Sequence, residues 1–250
     1  MFRLFPIWTL LRFWSPFVCR SRGWLLLSGL LLSWVSPAVV QAEPELAGLH
    51  SGAVLSVDDL KERAKHAPET LGPLSIGLPN NGRLMNGVQA QESELLELVS
   101  PHFAYGTPET IEYLEKAIRH VHDQFENTPP LHLGHISSRR GGYLSPHLSH
   151  QSGRDVDLGF FYTKDRAWYR RATSKNLDRP RTWALVKALI TETDVEMILI
   201  DHSVQRLLRK YAETQGEDPE WLAKIFYGRG GRGPIIRHAP GHATHLHLRF

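Results

Sequence analysis

Apolar positions recur along this chain with two different periods, and each change of period marks a boundary between elements. After Thr107 and Pro108, Ile111, Leu114, Ile118, Val121 and Phe125 return at three- and four-residue steps, which predicts a helix with one apolar stripe turned toward a sheet. Trp183, Val186, Leu189 and Ile190 predict a second covering helix, and helical segments are expected near 203–214 and 219–226. Elsewhere the period shortens toward two. Leu131 to Ile136, Asp155 to Phe161 and Val195 to Ile200 read as strands. In Ala243-Thr244-His245-Leu246-His247-Leu248-Arg249 the leucines take one face while His245, His247 and Arg249 take the other. Strands interleaved irregularly with helices indicate an α+β fold, a small antiparallel sheet covered by helices in a single domain.

The remaining stretches are punctuation. Ser56-Val57-Asp58-Asp59 opens a short helix and Pro79-Asn80-Asn81-Gly82 makes a turn, while the rest of 43–106 reads as a loosely structured entry. Ser137-Ser138-Arg139-Arg140-Gly141-Gly142 turns a strand into a flexible basic loop, and a glycine-rich loop spans Gly228 to Gly233. The first 42 residues differ in kind: Arg12, Arg20 and Arg22 precede the apolar run Trp24 to Val35, and Val40-Gln41-Ala42 follows it, the order of a secretory signal. The run is too short and interrupted to predict a stable membrane span once the signal is cut. The expected division is a signal peptide over 1–42, a loose extension over 43–74 and one domain over 75–250, in a periplasmic or otherwise exported protein.

Composition sharpens this picture in two places. Cys19 is the only cysteine and would leave with the signal, so disulfides cannot support the mature chain. The formal charge of +3 owes much to Arg3, Arg12, Arg20 and Arg22; without residues 1–42 there remain 25 bases against 26 acids. No basic face is left to recruit phosphates, which excludes a nucleic-acid partner.

Candidate chemistry gathers at two places far apart in sequence. In Ser149-His150-Gln151-Ser152-Gly153-Arg154-Asp155-Val156-Asp157 a loop histidine precedes a strand whose Asp155 and Asp157 share one face, and Gly153 permits a tight turn between them. In His245-Leu246-His247 the period-two spacing sends both imidazoles into one space, so that one can ligate and the other act. A catalytic zinc site usually takes three protein ligands and keeps a fourth position open, and two histidines with one carboxylate fit that count. Their net positive charge with the ion would acidify water and polarise a carbonyl, which places a zinc cleft on the sheet. His147 and His242, each three residues before a candidate, stand near enough to ligate or to orient a ligand. Arg139 and Arg140 could take a peptide carboxylate, because a guanidinium fork matches that group.

These residues resemble the penicillin-insensitive murein endopeptidases, in the group that includes D-alanyl-D-alanine peptidases, lysostaphin-type enzymes and the hedgehog domain. The shared frame is His-x6-Asp followed much later by His-x-His, here His150, Asp157, His245 and His247. Gly141-Gly142, Pro146-His147, Gly153, Gly241-His242 and Arg249 extend the likeness, as do Ser75-Ile76-Gly77 and Gly82-Arg83-Leu84-x-Asn86-Gly87. The resemblance implies a zinc peptidase acting on peptidoglycan peptide stems, cutting crosslinks of the D-alanyl-diaminopimelate type. It implies zinc on His150, Asp157 and His247, with His147 beside the metal site and His245, with His242, beside the attacked bond. The family's second metal site pairs an acid with a histidine three residues on; Asp178 and Arg181 stand there instead, so one zinc per chain is expected, and a homodimer is left open. A D-Ala-D-Ala carboxypeptidase would share the first half of the frame but ends on Glu-x-x-Trp-His. A non-catalytic wall-binding module with a metal site would be expected to have lost a ligand.

Overall fold

A computed structural model describes residues 56–164, 167–227 and 233–250. The expected signal peptide and most of the glycine-rich loop lie outside these residues. The first helix, α1 (Val57–His66), begins where the sequence places it: Ser56 and Asp59 form a reciprocal capping box, each side chain accepting from the other's backbone N–H.

The stretch expected to be loose is ordered into short strands: β1 (Leu74–Leu78), β2 (Asn81–Met85), β3 (Val88–Gln89), β4 (Leu96–Leu98) and β5 (Tyr105–Gly106). Two to five residues are too few to show a period, and what orders them is non-local. β1 and β2 pair as an antiparallel hairpin, Leu84 N–H donates to the Arg140 carbonyl at 3.1 Å, and Gln151 N–H donates to Pro79 at 3.0 Å. Gly141 permits this approach: a Cβ there would sit 2.2 Å from the Gln151 oxygen and 2.4 Å from the Leu84 nitrogen.

The other elements follow as α2 (Pro108–Gln124), β6 (Leu131–Leu133), β7 (Asp155–Gly159), α3 (Arg179–Glu192), β8 (Met197–Leu199), α4 (His202–Thr214), α5 (Pro219–Tyr227), β9 (Ile236–Arg237) and β10 (His245–Arg249). Six strands make one sheet in the order β4-β6-β7-β10-β8-β9, antiparallel through the four central strands and parallel at either edge. The α+β, single-domain reading holds. The parallel edges were not legible, because β4 and β9 are too short to carry a pattern.

One apolar core joins the helices to the sheet. Leu114, Ile118 and Val121 of α2 and Leu185, Val186 and Leu189 of α3 cluster with Val156, Leu158, Leu246 and Leu248, all fully buried. The register pairs Leu246 with Leu158 and Leu248 with Val156, so these four share one face of the sheet. Alternation then sends Asp155, Asp157, His245, His247 and Arg249 to the opposite face. Burial of the leucines thereby decides where the polar side chains go. No helix among the described residues is long and apolar enough to cross a membrane.

Candidate metal centre

The centre starts from two neighbouring strands. β7 and β10 pair antiparallel with His247 directly opposite Asp157, and residues so placed have Cβ atoms about 4.5–5.5 Å apart. Nδ1 of His247 accordingly reaches Oδ1 of Asp157 at 3.0 Å. The third member arrives from the irregular chain between β6 and β7. His150 takes a left-handed backbone conformation (φ 65°), and its N–H donates to Oδ2 of Asp155 at 3.1 Å. Its Nε2 lies 3.3 Å from Oδ1 of Asp157 and 3.2 Å from Nδ1 of His247.

This triangle suits a metal ion. With ligand bonds of about 2.0–2.1 Å at tetrahedral angles, donor atoms stand about 3.3 Å apart, and the three separations here are 3.0, 3.2 and 3.3 Å. The donors also present the right atoms. Nδ1 of His150 lies 2.9 Å from the Ile136 carbonyl, which can only accept, so the ring proton belongs there and Nε2 keeps its lone pair. His247 places Nδ1 3.0 Å from Oδ1 of Asp157, an oxygen that only accepts, so without an ion this nitrogen carries a proton that a metal ion would displace, and its Nε2 lies 3.8 Å from Oδ1 of Asp155. His150, Asp157 and His247 are all buried and form a group able to hold a metal ion.

Electrostatics follow from the same contacts. Burial opposes ionisation of Asp157, but the His150 and His247 imidazoles override it and hold the carboxyl well below the usual carboxylate range. Burial likewise opposes charge on His150, and the Asp157 carboxylate outweighs it, so the imidazole is raised above its ordinary value. Without a cation the site therefore attracts a proton, and a metal ion must compete with it. For Asp155, burial is overcome by the Arg249 guanidinium, which donates at 2.6 and 3.0 Å and pulls the carboxyl down to about 2.

Further histidines ring this triangle. His245 sits one strand repeat from His247 and opposite Gly159. Its Nε2 is 3.6 Å from Oδ1 of Asp157, its Nδ1 2.9 Å from the Thr244 hydroxyl, and burial pushes it down to about 4. His242 reaches the group through ring contacts, with centroids 4.9 Å from His245 and 5.8 Å from His247. His147 brings Nδ1 to 3.7 Å from the other Asp157 oxygen, Oδ2; burial first, then the neighbouring His150, push it down to about 4.

The structure thus brings His147, His150, Asp157, His242, His245 and His247 together. It does not bring Arg139 and Arg140 to them: both are exposed and line a groove of about 580 Å³ with Arg83, Leu84 and Asn86. Asp178 and Arg181 form an ion pair at 2.8 Å at the start of α3. Two features escaped the sequence reading. His135 shares the parity of Leu131 and Leu133, which assigns it to the core, but the regular strand ends at Leu133 and the ring escapes that alternation to meet His147 at 2.8 Å. Tyr169, on a loop with no periodic signal, stacks its ring on His245 at 5.4 Å and 20° from a left-handed backbone (φ 61°). His147, which the sequence connects to a metal, belongs with His135 and Asp157 to a second group close enough to hold one.

Comparison with known proteins points to one family. Residues 75–250 match the family described as penicillin-insensitive murein endopeptidase. Curated relatives carrying that name include one from Pectobacterium atrosepticum, 24% identical over 226 residues, covering 82% of this chain and 73% of its own. One from Yersinia pestis is 25% identical over 163 residues, covering 58% of this chain and 53% of its own. Another, from Haemophilus influenzae, is 25% identical over 171 residues, with 58% and 51% covered. The chain thus matches about half the length of two of these relatives.

Proposed function

Because this chain belongs to the penicillin-insensitive murein endopeptidase family, we propose that it is an exported zinc-dependent endopeptidase that hydrolyses peptide crosslinks in bacterial peptidoglycan, of the D-alanyl-diaminopimelate type. One observation carries the zinc reading: three buried donor atoms, from His150, Asp157 and His247, stand 3.0–3.3 Å apart, the spacing of ligands around one tetrahedral ion. In this reading those residues hold one zinc ion. When bound, the ion supplies a Lewis acid that polarises the scissile carbonyl.

The neighbouring side chains do the rest. His245, pushed down to about 4 by burial, is a neutral imidazole at physiological pH. With the Thr244 hydroxyl donating to Nδ1, its proton sits on Nε2, on the Asp157 side of the ring. There it donates a hydrogen bond to the oxyanion of the tetrahedral intermediate, while the departing amine takes up the proton that the attacking water gives up, work typically worth about a hundredfold to ten-thousandfold. His242, beside both His245 and His247, closes that side of the cleft. Arg139 and Arg140, with Arg83 in the same groove, take carboxylates of the stem peptide. Substrate on the wall side of the membrane fits the basic, apolar and small-residue order of residues 1–42.

The test is to incubate purified mature protein with crosslinked muropeptides, with and without a chelator, and weigh the products. Monomeric muropeptides that disappear with chelator are expected. Release of free D-alanine would mean a carboxypeptidase, and unchanged dimers would mean a wall-binding module.

A further inference from the structure

Tyr169 is an exposed ring on a costly backbone. Among the described residues, four other than glycine have positive φ: Asn86 and Asn127, of the type that tolerates it best after glycine, His150 of the candidate metal centre, and Tyr169 at 61°. A bulky side chain keeps that conformation only where its surroundings over-determine it. They do so here on both sides. Before it, Trp168 stacks on His132 at 6.5 Å and 8°, and lies so close to Gly134 that a Cβ there would stand 2.3 Å from the indole. After it, three residues in succession are tied down. The Tyr162 hydroxyl donates to the Arg170 carbonyl, the Asn176 amide to the Arg171 carbonyl at 3.0 Å, and the Ala172 N–H to the Ala243 carbonyl at 2.7 Å.

These ties hold a flat apolar surface next to the reacting groups. The Tyr169 ring lies within 20° of parallel to His245 with centroids 5.4 Å apart, and Trp168 adds a second ring 6.1 Å from the same imidazole. Burial does not explain the arrangement, because Tyr169 stays 61% exposed. Apolar area already fixed beside a site can take up apolar matter without first having to be ordered. The chemistry of the bond selects the occupant. A scissile carbonyl that reaches His245 brings both of its flanking residues near the ring. D-alanine on the acyl side offers a lone methyl. Diaminopimelate on the amine side offers a run of methylenes leading from the scissile nitrogen back to its own stem, and a terminal D-alanine in its place offers no such chain. Apolar contact grows with the area removed from water, so the ring favours the methylenes.

We propose that Tyr169, buttressed by Trp168, is a specificity-determining residue: its ring receives the methylene chain on the amine side of a D-alanyl-diaminopimelate crosslink and so favours crosslinked stems over stems ending in D-alanyl-D-alanine. The inference rests on the endopeptidase reading for the identity of that chain. The ring carries this role and the hydroxyl does not.

Two variants test this. Tyr169→Gly removes the ring and suits the left-handed backbone, so the turn keeps its shape, while Tyr169→Phe keeps the ring. Zinc-loaded protein is assayed on a crosslinked muropeptide dimer and on an uncrosslinked stem ending in D-alanyl-D-alanine. Its affinity is also measured for reduced-amide analogues of both, which bind but cannot be cut. Tyr169→Gly should lose about tenfold in affinity and in kcat/KM for the dimer and change little on the uncrosslinked stem, while Tyr169→Phe matches wild type on both. Equal losses on the two ligands overturn the proposal, because a ring that only steadies His245 or the fold serves every substrate alike. So does an unchanged affinity for the dimer analogue, and so does a loss in Tyr169→Phe as large as in Tyr169→Gly, which would give the role to the hydroxyl. If wild type cuts neither substrate yet holds the dimer analogue about tenfold more tightly than Tyr169→Gly does, the endopeptidase reading falls and the ring surface stands.

Discussion

The candidate metal centre is built from two halves held by different means. Asp157 and His247 face each other across β7 and β10, so a ladder of backbone hydrogen bonds and the buried leucines behind it set their distance. His150 and His147 ride on irregular chain and are held by separate contacts, from Asp155 and Ile136 for the first and from the Leu144 carbonyl, His135 and the His150 ring for the second. The strand half is rigid because moving it would shift the core. The loop half can be loosened singly, and Asp155 links the two, since it accepts from His150 on the loop and from Arg249 on β10.

Breaking the strand half should cost most. Asp157→Ala and His247→Ala should lose bound metal, measured by elemental analysis, and lower muropeptide hydrolysis by at least about a thousandfold, with the fold kept by circular dichroism. Retained metal in either variant would refute the ligand set. His245→Ala should retain metal yet lose about a hundredfold to ten-thousandfold in kcat; full activity would remove its assigned role.

The link between the halves has a pH signature. Asp155 is pulled down to about 2 when folded, from an ordinary value of 3.8, so its contribution is present above pH 4 and is lost as pH falls toward 2. The shift corresponds to about 2 kcal/mol. Urea unfolding should show wild type losing about that much more stability than Asp155→Asn between pH 4 and pH 2, and equal slopes would place the Arg249 contact outside the stability of the fold. The smallest effect is expected away from both halves. Arg139→Gln with Arg140→Gln should raise KM several-fold, since an exposed charge contact is worth about 1 kcal/mol or less, with kcat and metal content unchanged; an unchanged KM would remove both from substrate binding.

Much of this molecule is legible without coordinates wherever a period is long enough. The stripe from Ile111 to Phe125 and the capping pair Ser56 and Asp59 announce their helices through local chemistry alone. The hairpin β1–β2 does not, because its order comes from bonds to Arg140 and Gln151, some sixty residues away. His135 was hidden for a related reason: its parity assigns it to the core, and only the end of β6 at Leu133 frees the ring.

What the sequence determined by itself was the kind of chemistry and the side of the strand: two imidazoles on one face of His245-Leu246-His247, two carboxylates on one face of Asp155-Val156-Asp157, and a histidine just upstream. Which imidazole meets which carboxylate was decided only in the fold. A shift of two residues would have set His245 opposite Asp157 with every leucine still on the core face, so alternation cannot choose between these registers. The choice came from the whole sheet, where Leu246 lies against Leu158 and His247 against Leu199 on the other side, because pairing between strands is a property of distant partners and not of either segment alone.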